Sequence, residues 1–503
     1  MNPRRKLAYA AATQLLILGG IEAGLATAGL PRDAKRESPL EFVGIQLGAR
    51  ADFPMEWDDE LFWRMVPGAR VPRLDERISA RGFRGADFAI AKRPGVKRVV
   101  CLGDSNVFGM GVEVAETFAA RLAAWLPAGR FEILNLGMPG SSAVQIHRML
   151  TRRALPLAPD VVVVYPGAWN DYAPAIGSDD LAVAARLDRG RGLRDGLASL
   201  PLRSLELARA WMRPAPRAAR EPVGGAYLQN FSERHERPDG PRVPLDAFRD
   251  ELRAISTESR AAGARVVFVT PAAPGDQRRR FAESGQYAQA VREVAVEQGD
   301  ALVDARADLD LPDDEVAVLY ADGFHPSACG HSWIASGIAA ALRRFPELGD
   351  LSALDPDDLR DPLPVDLSRP LVEAARVASS PSEPESFVRA FPVHASAAVG
   401  CPSRVAVDVE VPSHAVLEVT CGVIATTLGP GGVRMRIEIG PPGADGTVLL
   451  SEEFRPVAGE PIAMRSRRVV VPESFAGKAR VVFAADGETP SVFWIRPQLA
   501  SKR

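Results

Sequence analysis

Two stretches with different hydrophobic periods predict two folds in one chain: an α/β domain on a doubly wound, parallel five-stranded sheet, then an all-β sandwich. Three observations carry this. Short apolar runs at 97–102 (KRVVCL), 131–135 (FEILN), 160–165 (DVVVVY), 265–270 (RVVFVT) and 301–304 (ALVD) have the near-continuous Val/Ile character of strands buried on both faces. Helical patterns lie between them, as at 246–262, where Phe248, Leu252 and Ile255 share one face. Later the period changes to two: Val405, Val407, Val409 and Val411 alternate, as do Val433, Met435, Ile437 and Ile439. Val469–Val471 and Val481–Phe483 add short runs between Gly/Pro turns.

The elements divide the chain in order. Residues 1–30 read as an N-terminal membrane anchor or signal peptide. "MNPRRK" is a basic head, and Leu7 to Leu30 succeeds it without Lys, Arg or Asp. That stretch exceeds the roughly 20 residues a spanning helix needs, and the flanking cations place the chain beyond Pro31 outside the cytoplasm. Glu22 would snorkel outward in an anchor, whereas "ATA" at Ala26–Ala28 resembles a cleavage site. Either way the protein is exported. Residues 31–95 read as an irregular Pro- and Arg-rich lead-in with scattered aromatics (Phe53, Trp57, Phe62, Trp63), packed on a domain. Residues 96–350 form the α/β domain. Residues 173–240, rich in Arg and Ala with a helical piece around 192–212, interrupt it as an insertion that either covers the site or is a plain surface helix. Residues 351–388 are Asp-, Pro- and Ser-rich and end in "SSPSEPES", a linker signature. Residues 389–503 form the β-sandwich.

Composition narrows the function classes. The chain of 503 residues is 46% hydrophobic and 25% charged, with a formal charge of −3. No basic stripe with interleaved aromatics points to nucleic acid. The four cysteines (Cys101, Cys329, Cys401, Cys421) make no CxxC pair, so no zinc site is expected. Cys401 and Cys421 either pair or are two small buried hydrophobes. No cofactor or metal is expected.

The chemistry is read at the carboxyl ends of the predicted strands, where ligands sit in open α/β sheets. The first strand ends in "GDSN", so Ser105 is either part of a helix cap or a nucleophile presented at a strand tip. A nucleophilic serine needs a base, and there are six histidines. His394 and His414 belong to the sandwich, His235 to the insertion, and His147 to a helix after "GMPGSS". His325 and His331 lie in "YADGFHPSACGH", after the last strand. Asp322, three residues before His325, can fix its tautomer while the other ring nitrogen faces Ser105 Oγ. Oxyanion donors are available in "NLGMPGSS", whose glycines permit a tight turn with exposed N–H groups, and in "PGAWNDY", where Asn170 offers a neutral side-chain donor.

These residues, in this order, resemble the SGNH (GDSL-type) hydrolase superfamily over roughly 96–345. The resemblance implies a flavodoxin-like sheet and a metal-free Ser-His-Asp mechanism. Ser105 would be nucleophile, His325 base and Asp322 its orienting acid. The oxyanion hole would comprise the N–H groups of Ser105 and Gly140 and the Asn170 amide. Asn135 lies five residues before Gly140, and Gly137 is its rival. The family's Gly-x-Asn-Asp block is Ala168-Trp169-Asn170-Asp171 here, with Gly167 one place early. Asp104 and Asp171 read as structural. "LDERISARGFRG" resembles a bacterial branch with an N-terminal membrane segment, and the C-terminal domain is similar to jelly-roll, carbohydrate-binding-like modules, with "WIRPQL" near its close, which makes it either a binding module or a spacer. The expectation is an exported serine esterase of the cell envelope acting on short acyl esters of carbohydrate. The alternatives are an O-acyltransferase on an envelope polysaccharide and a non-catalytic binding protein on the same scaffold.

Overall fold

The computed structural model describes residues 54–58, 60–71, 76–166, 169–173, 179–197, 240–271, 284–305, 319–320, 325–367, 371, 396–400, 403–424, 431–443, 446–455, 462–487 and 491–501, with scattered positions between 17 and 27. The predicted apolar segment Leu7–Leu30 lies mostly outside these. Among the described residues no helix is long and apolar enough to cross a membrane.

The lead-in carries a β-hairpin, β1 (Met55–Asp58) against β2 (Phe62–Met65). Leu61, Phe62, Trp63, Met65, Val71, Ile78 and Phe83 enter the main core. The sequence reads as irregular here, because acids and an arginine in "MEWDDELFWRM" mask the short alternation.

Five parallel strands come next: β3 (Lys97–Gly103), β4 (Phe131–Asn135), β5 (Val161–Tyr165), β6 (Arg265–Val269) and β7 (Ala301–Val303). Their spatial order is β4-β3-β5-β6-β7. The order of strand addition reverses beside β3, which makes the end of that strand the switch point. Successive side chains of a strand face opposite ways, and the strands feed two cores accordingly. Val100, Leu102, Val162 and Val164 pack with α3 (Ala143–Met149), α6 (Leu245–Ala261) and α7 (Ser284–Gln298). Val99, Cys101, Val161 and Val163 pack with α2 (Phe118–Trp125) and α8 (Ala328–Leu342). Two one-turn helices, α1 (Ser105–Phe108) and α4 (Trp169–Tyr172), leave β3 and β5.

Within the segment read as an insertion, α5 (Asp180–Leu197) sends Val183 and Leu187 into the core beside α3. It starts well before the helical piece expected around 192–212, most of which lies outside the described residues. Residues 351–367 and Leu371 of the stretch read as linker are packed. Leu351 and Leu359 belong to the α2/α8 core, with Leu354 and Leu363 against it. Leu367 and Leu371 belong to the sandwich. The Asp and Pro residues between these leucines hide their spacing in the sequence.

Among the described residues every strand pairing of the C-terminal domain is antiparallel. β10 (Ser403–Val411), β15 (Gly477–Gly487), β12 (Val433–Gly440) and β13 (Thr447–Phe454) form one sheet. β14 (Ile462–Val470), β11 (Ala415–Ile424) and β16 (Ser491–Ser501) form the other, with β8 (Val365–Asp366) and β9 (Ser396–Gly400) both on β16. Val405, Ile437 and Phe483 of one sheet meet Leu417, Cys421 and Trp494 of the other in a single core. Cys421 is a free thiol pushed up to about 12 by burial, and Cys401 lies outside the described residues. At the junction Arg468 pairs with Glu116 of the α/β domain.

Candidate active site

The end of β3 is built around a missing side chain. A Cβ on Gly103 would stand 2.3 Å from Tyr165 O and 2.3 Å from Val107 Cγ2. Glycine therefore lets β3 pass β5 closely and turn at once into α1. Asp104 caps that turn, its Oδ1 accepting from Asn106 N–H (2.9 Å). Ser105 is then the first helical residue. The cap read from the sequence is present, with Asp104 as the capping residue, and Ser105 stands just beyond the carboxyl end of β3.

Ser105 Oγ lies 2.9 Å from His325 Nε2, across 220 residues of chain. His325 precedes α8, and Tyr320 bridges to Pro326 beside it. Asp322, expected to orient the imidazole, lies outside the described residues, as do Gly167 and Ala168. Asn170 is buried at the start of α4, and its Nδ2 donates to Asp104 Oδ2 at 2.6 Å. An amide nitrogen carries two hydrogens, so one more remains for a ligand. Neither the Ser105 nor the Gly140 N–H meets a protein acceptor among the described residues.

Gly140 sits in a β-turn. Met138 N–H donates to Gly103 O (3.0 Å), which ties the turn to the end of β3, and Ser141 N–H donates back to Met138 O (3.2 Å). Gly140 takes φ +78°. Pro second and a positive-φ Gly third define a type II turn. The rival Gly137 is a packing glycine: its Cβ would meet Phe108 N at 2.2 Å. Asn135 binds locally, donating to Val107 O (2.7 Å) and accepting from Gly137 N–H (2.9 Å).

Behind the turn lies a buried network that sequence reasoning missed. Arg242 donates to Gly140 O (2.9 Å), Gln145 Oε1 (2.8 Å) and Asp180 Oδ2 (2.7 Å), and Ser142 Oγ also donates to Asp180 (2.7 Å). Asp171 accepts from Ala143 N–H at 2.7 Å. Only "PDGPRVP", an ordinary polar turn, surrounds Arg242 in the sequence, so no local signal marks it.

The electrostatics come from burial. Asp104 is pushed up to about 6 by desolvation, opposed by Asn106 N–H, the His325 charge and Asn170. Asp171 is held well above the usual carboxylate range by burial, with Asp180 and Asp104 adding to it. Burial also raises the Tyr165 hydroxyl, which bonds Tyr320. His331 is fully buried and pushed down to about 3, so it is neutral; its Nδ1 accepts from Phe118 N–H (3.3 Å). His147 is raised: burial opposes its charge, but Glu251 (2.5 Å) and Glu258 (3.0 Å) of α6 outweigh it. Among the described residues no group of three or more His, Cys, Asp or Glu is placed to hold a metal ion.

This parallel sheet with a serine–histidine pair at its switch point defines a hydrolase of the α/β, SGNH type. Residues 101–333 match the GDSL-like lipase/acylhydrolase family, and that domain of the chain belongs to it. The protein is a carboxylic ester hydrolase. Similar solved structures include a lipase/acylhydrolase from Enterococcus faecalis, 18% identical, with 48% of this chain covering 93% of that one at a TM-score of 0.31. An acetylxylan esterase from Geobacillus stearothermophilus is 16% identical, with 50% of this chain covering 94% of that one at a TM-score of 0.31. No curated protein matches the chain.

Proposed function

We propose that the protein is an exported serine esterase in which Ser105 attacks the ester carbonyl, His325 is the base and Asp322 orients it. The observation that carries this reading is the 2.9 Å contact between Ser105 Oγ and His325 Nε2. His325 takes the Ser105 proton as Oγ bonds to the carbonyl carbon, then gives it to the leaving alcohol. Water, deprotonated by the same imidazole, attacks the acyl-enzyme and releases the acid. The Ser105 N–H, the Gly140 N–H and the second Asn170 amide hydrogen stabilise the negative oxygen. One feature supports short acyl groups on carbohydrate as the substrate class: the appended sandwich, whose sequence resembles carbohydrate-binding-like modules. The basic head before the apolar stretch supports export, with the catalytic domain on the outer side of a membrane.

The test is Ser105→Ala. It should abolish turnover on a panel of acyl esters and labelling by a fluorophosphonate, with the unfolding transition intact. Labelling that persists would move the nucleophile elsewhere. Running the panel on acetylated sugars, with and without free sugar acceptors, reads the substrate class. Acyl transfer to the acceptor in preference to water would replace hydrolysis as the activity.

A further inference from the structure

The Gly140 N–H can serve an oxyanion only if its peptide faces the right way, and that peptide is the one most able to flip. Types I and II β-turns differ by a rotation of the central peptide through about half a turn, which exchanges the directions of its N–H and C=O. In the Met138–Ser141 turn the central peptide joins Pro139 to Gly140. Its carbonyl is Pro139 O, and its N–H is the Gly140 donor. The two point in opposite directions across a trans peptide, so whatever holds one aims the other.

Pro139 O is held by Trp63. The indole Nε1–H donates to it at 3.0 Å, and Trp63 is fully buried. The next carbonyl, Gly140 O, is held by Arg242, whose guanidinium lies 5.7 Å from the Trp63 ring centroid. Trp63 belongs to β2, outside the residues that match the hydrolase family.

We propose that Trp63 is a positioning residue for ester hydrolysis, locking the Pro139–Gly140 peptide in the orientation that aims the Gly140 N–H at the oxyanion. The lead-in hairpin is thereby part of the catalytic apparatus. The bond also polarises the peptide and strengthens its N–H as a donor. Without it, a flipped turn would present a carbonyl oxygen to the developing negative charge. This inference rests on the reading of Gly140 as an oxyanion donor.

The experiment uses the full chain with Trp63→Phe and, separately, with β-(3-benzothienyl)alanine at position 63. The second keeps the indole shape and lacks only the N–H. Both should lower kcat about 10- to 100-fold, part of the 10²–10³ that one oxyanion donor supplies. KM should stay within twofold, and a trifluoromethyl ketone inhibitor should weaken by the factor lost in kcat/KM. A purely structural role for Trp63 would lower thermal stability without that split. If the benzothienyl protein is folded and its kcat is within twofold of the parent, the proposal is overturned. Ser105→Ala in the same assay separates the two levels. If it is inactive, an unaffected benzothienyl protein overturns only the role of Trp63. If it still turns over, the active-site reading fails, and the inference fails with it.

Discussion

At the carboxyl end of the parallel sheet, Asp104, Asn170, Asp171, Asp180 and Arg242 are all buried in the polar network around Ser105 and Gly140. The sandwich treats its charges differently. Arg436–Asp486 and Arg480–Asp408 lie on exposed faces of its strands, and the buried Glu452 pairs with Arg465 and Arg467, which reach solvent. Aliphatic and aromatic side chains of both sheets meet in its core. Burying polar groups costs stability unless each finds a partner, and networks in low dielectric are stiff when they do. The α/β domain accepts that cost at the site where the proposed mechanism needs a peptide N–H, an amide and a hydroxyl held in fixed positions. The sandwich instead pairs its buried carboxylates, Glu438 and Glu452, with arginines that reach solvent.

The sharpest way to break this contrast is at Asn170, which should cost turnover well beyond any effect on folding. Asn170→Ala is expected to lower kcat by about 10²–10³-fold, the usual loss for one oxyanion donor. It also removes a donor from Asp104. Steady-state kinetics at saturating ester check this, and near-parental turnover would take Asn170 out of the site.

Arg242 sets the two kinds of ion pair side by side. Both Arg242 and Asp180 side chains are only 4% exposed, whereas Arg436 and Asp486 are 33% and 58% exposed. Arg242→Met leaves Asp180 and Gly140 O short of donors and should destabilise by about 3–5 kcal/mol. Arg436→Met should cost no more than about 1 kcal/mol. Urea titrations of the two variants give the comparison directly; equal losses would remove the distinction between the domains.

The smallest expected effect is a slope. Asp104 rises from its ordinary 3.8 to about 6 in the folded protein. Between those values the folded state keeps a proton that the unfolded chain has lost, so this group makes stability fall as pH rises through the interval. Asp104→Asn removes the titration. The Tm difference, variant minus parent, should therefore rise between about pH 4 and 6.5. A difference that stays flat or falls would place the Asp104 carboxyl in a better-solvated setting.

Much of this protein is legible in its local sequence. Val/Ile runs mark β3, β5 and β6 because strands buried on both faces admit little else. Period-two alternation marks the sandwich, since one face of each strand must be dry. Ser105 and Asn170 stand out because each comes within a few residues of a strand end. His325 stands out because a base is chemically required and few histidines exist. Local pattern does not reach what packs from far away. The hairpin of residues 55–65, the leucines of 351–371, Trp63 and Arg242 carry no period or motif that separates them from ordinary surface. Their roles come from contacts with chain distant in sequence, 76 residues for Trp63 and Pro139 and 102 for Arg242 and Gly140. A tight turn needs only Pro and Gly next to each other, which the sequence states. Which way its central peptide points is a choice between two nearly equal local states, and only the buried donors brought to it by the tertiary fold make that choice.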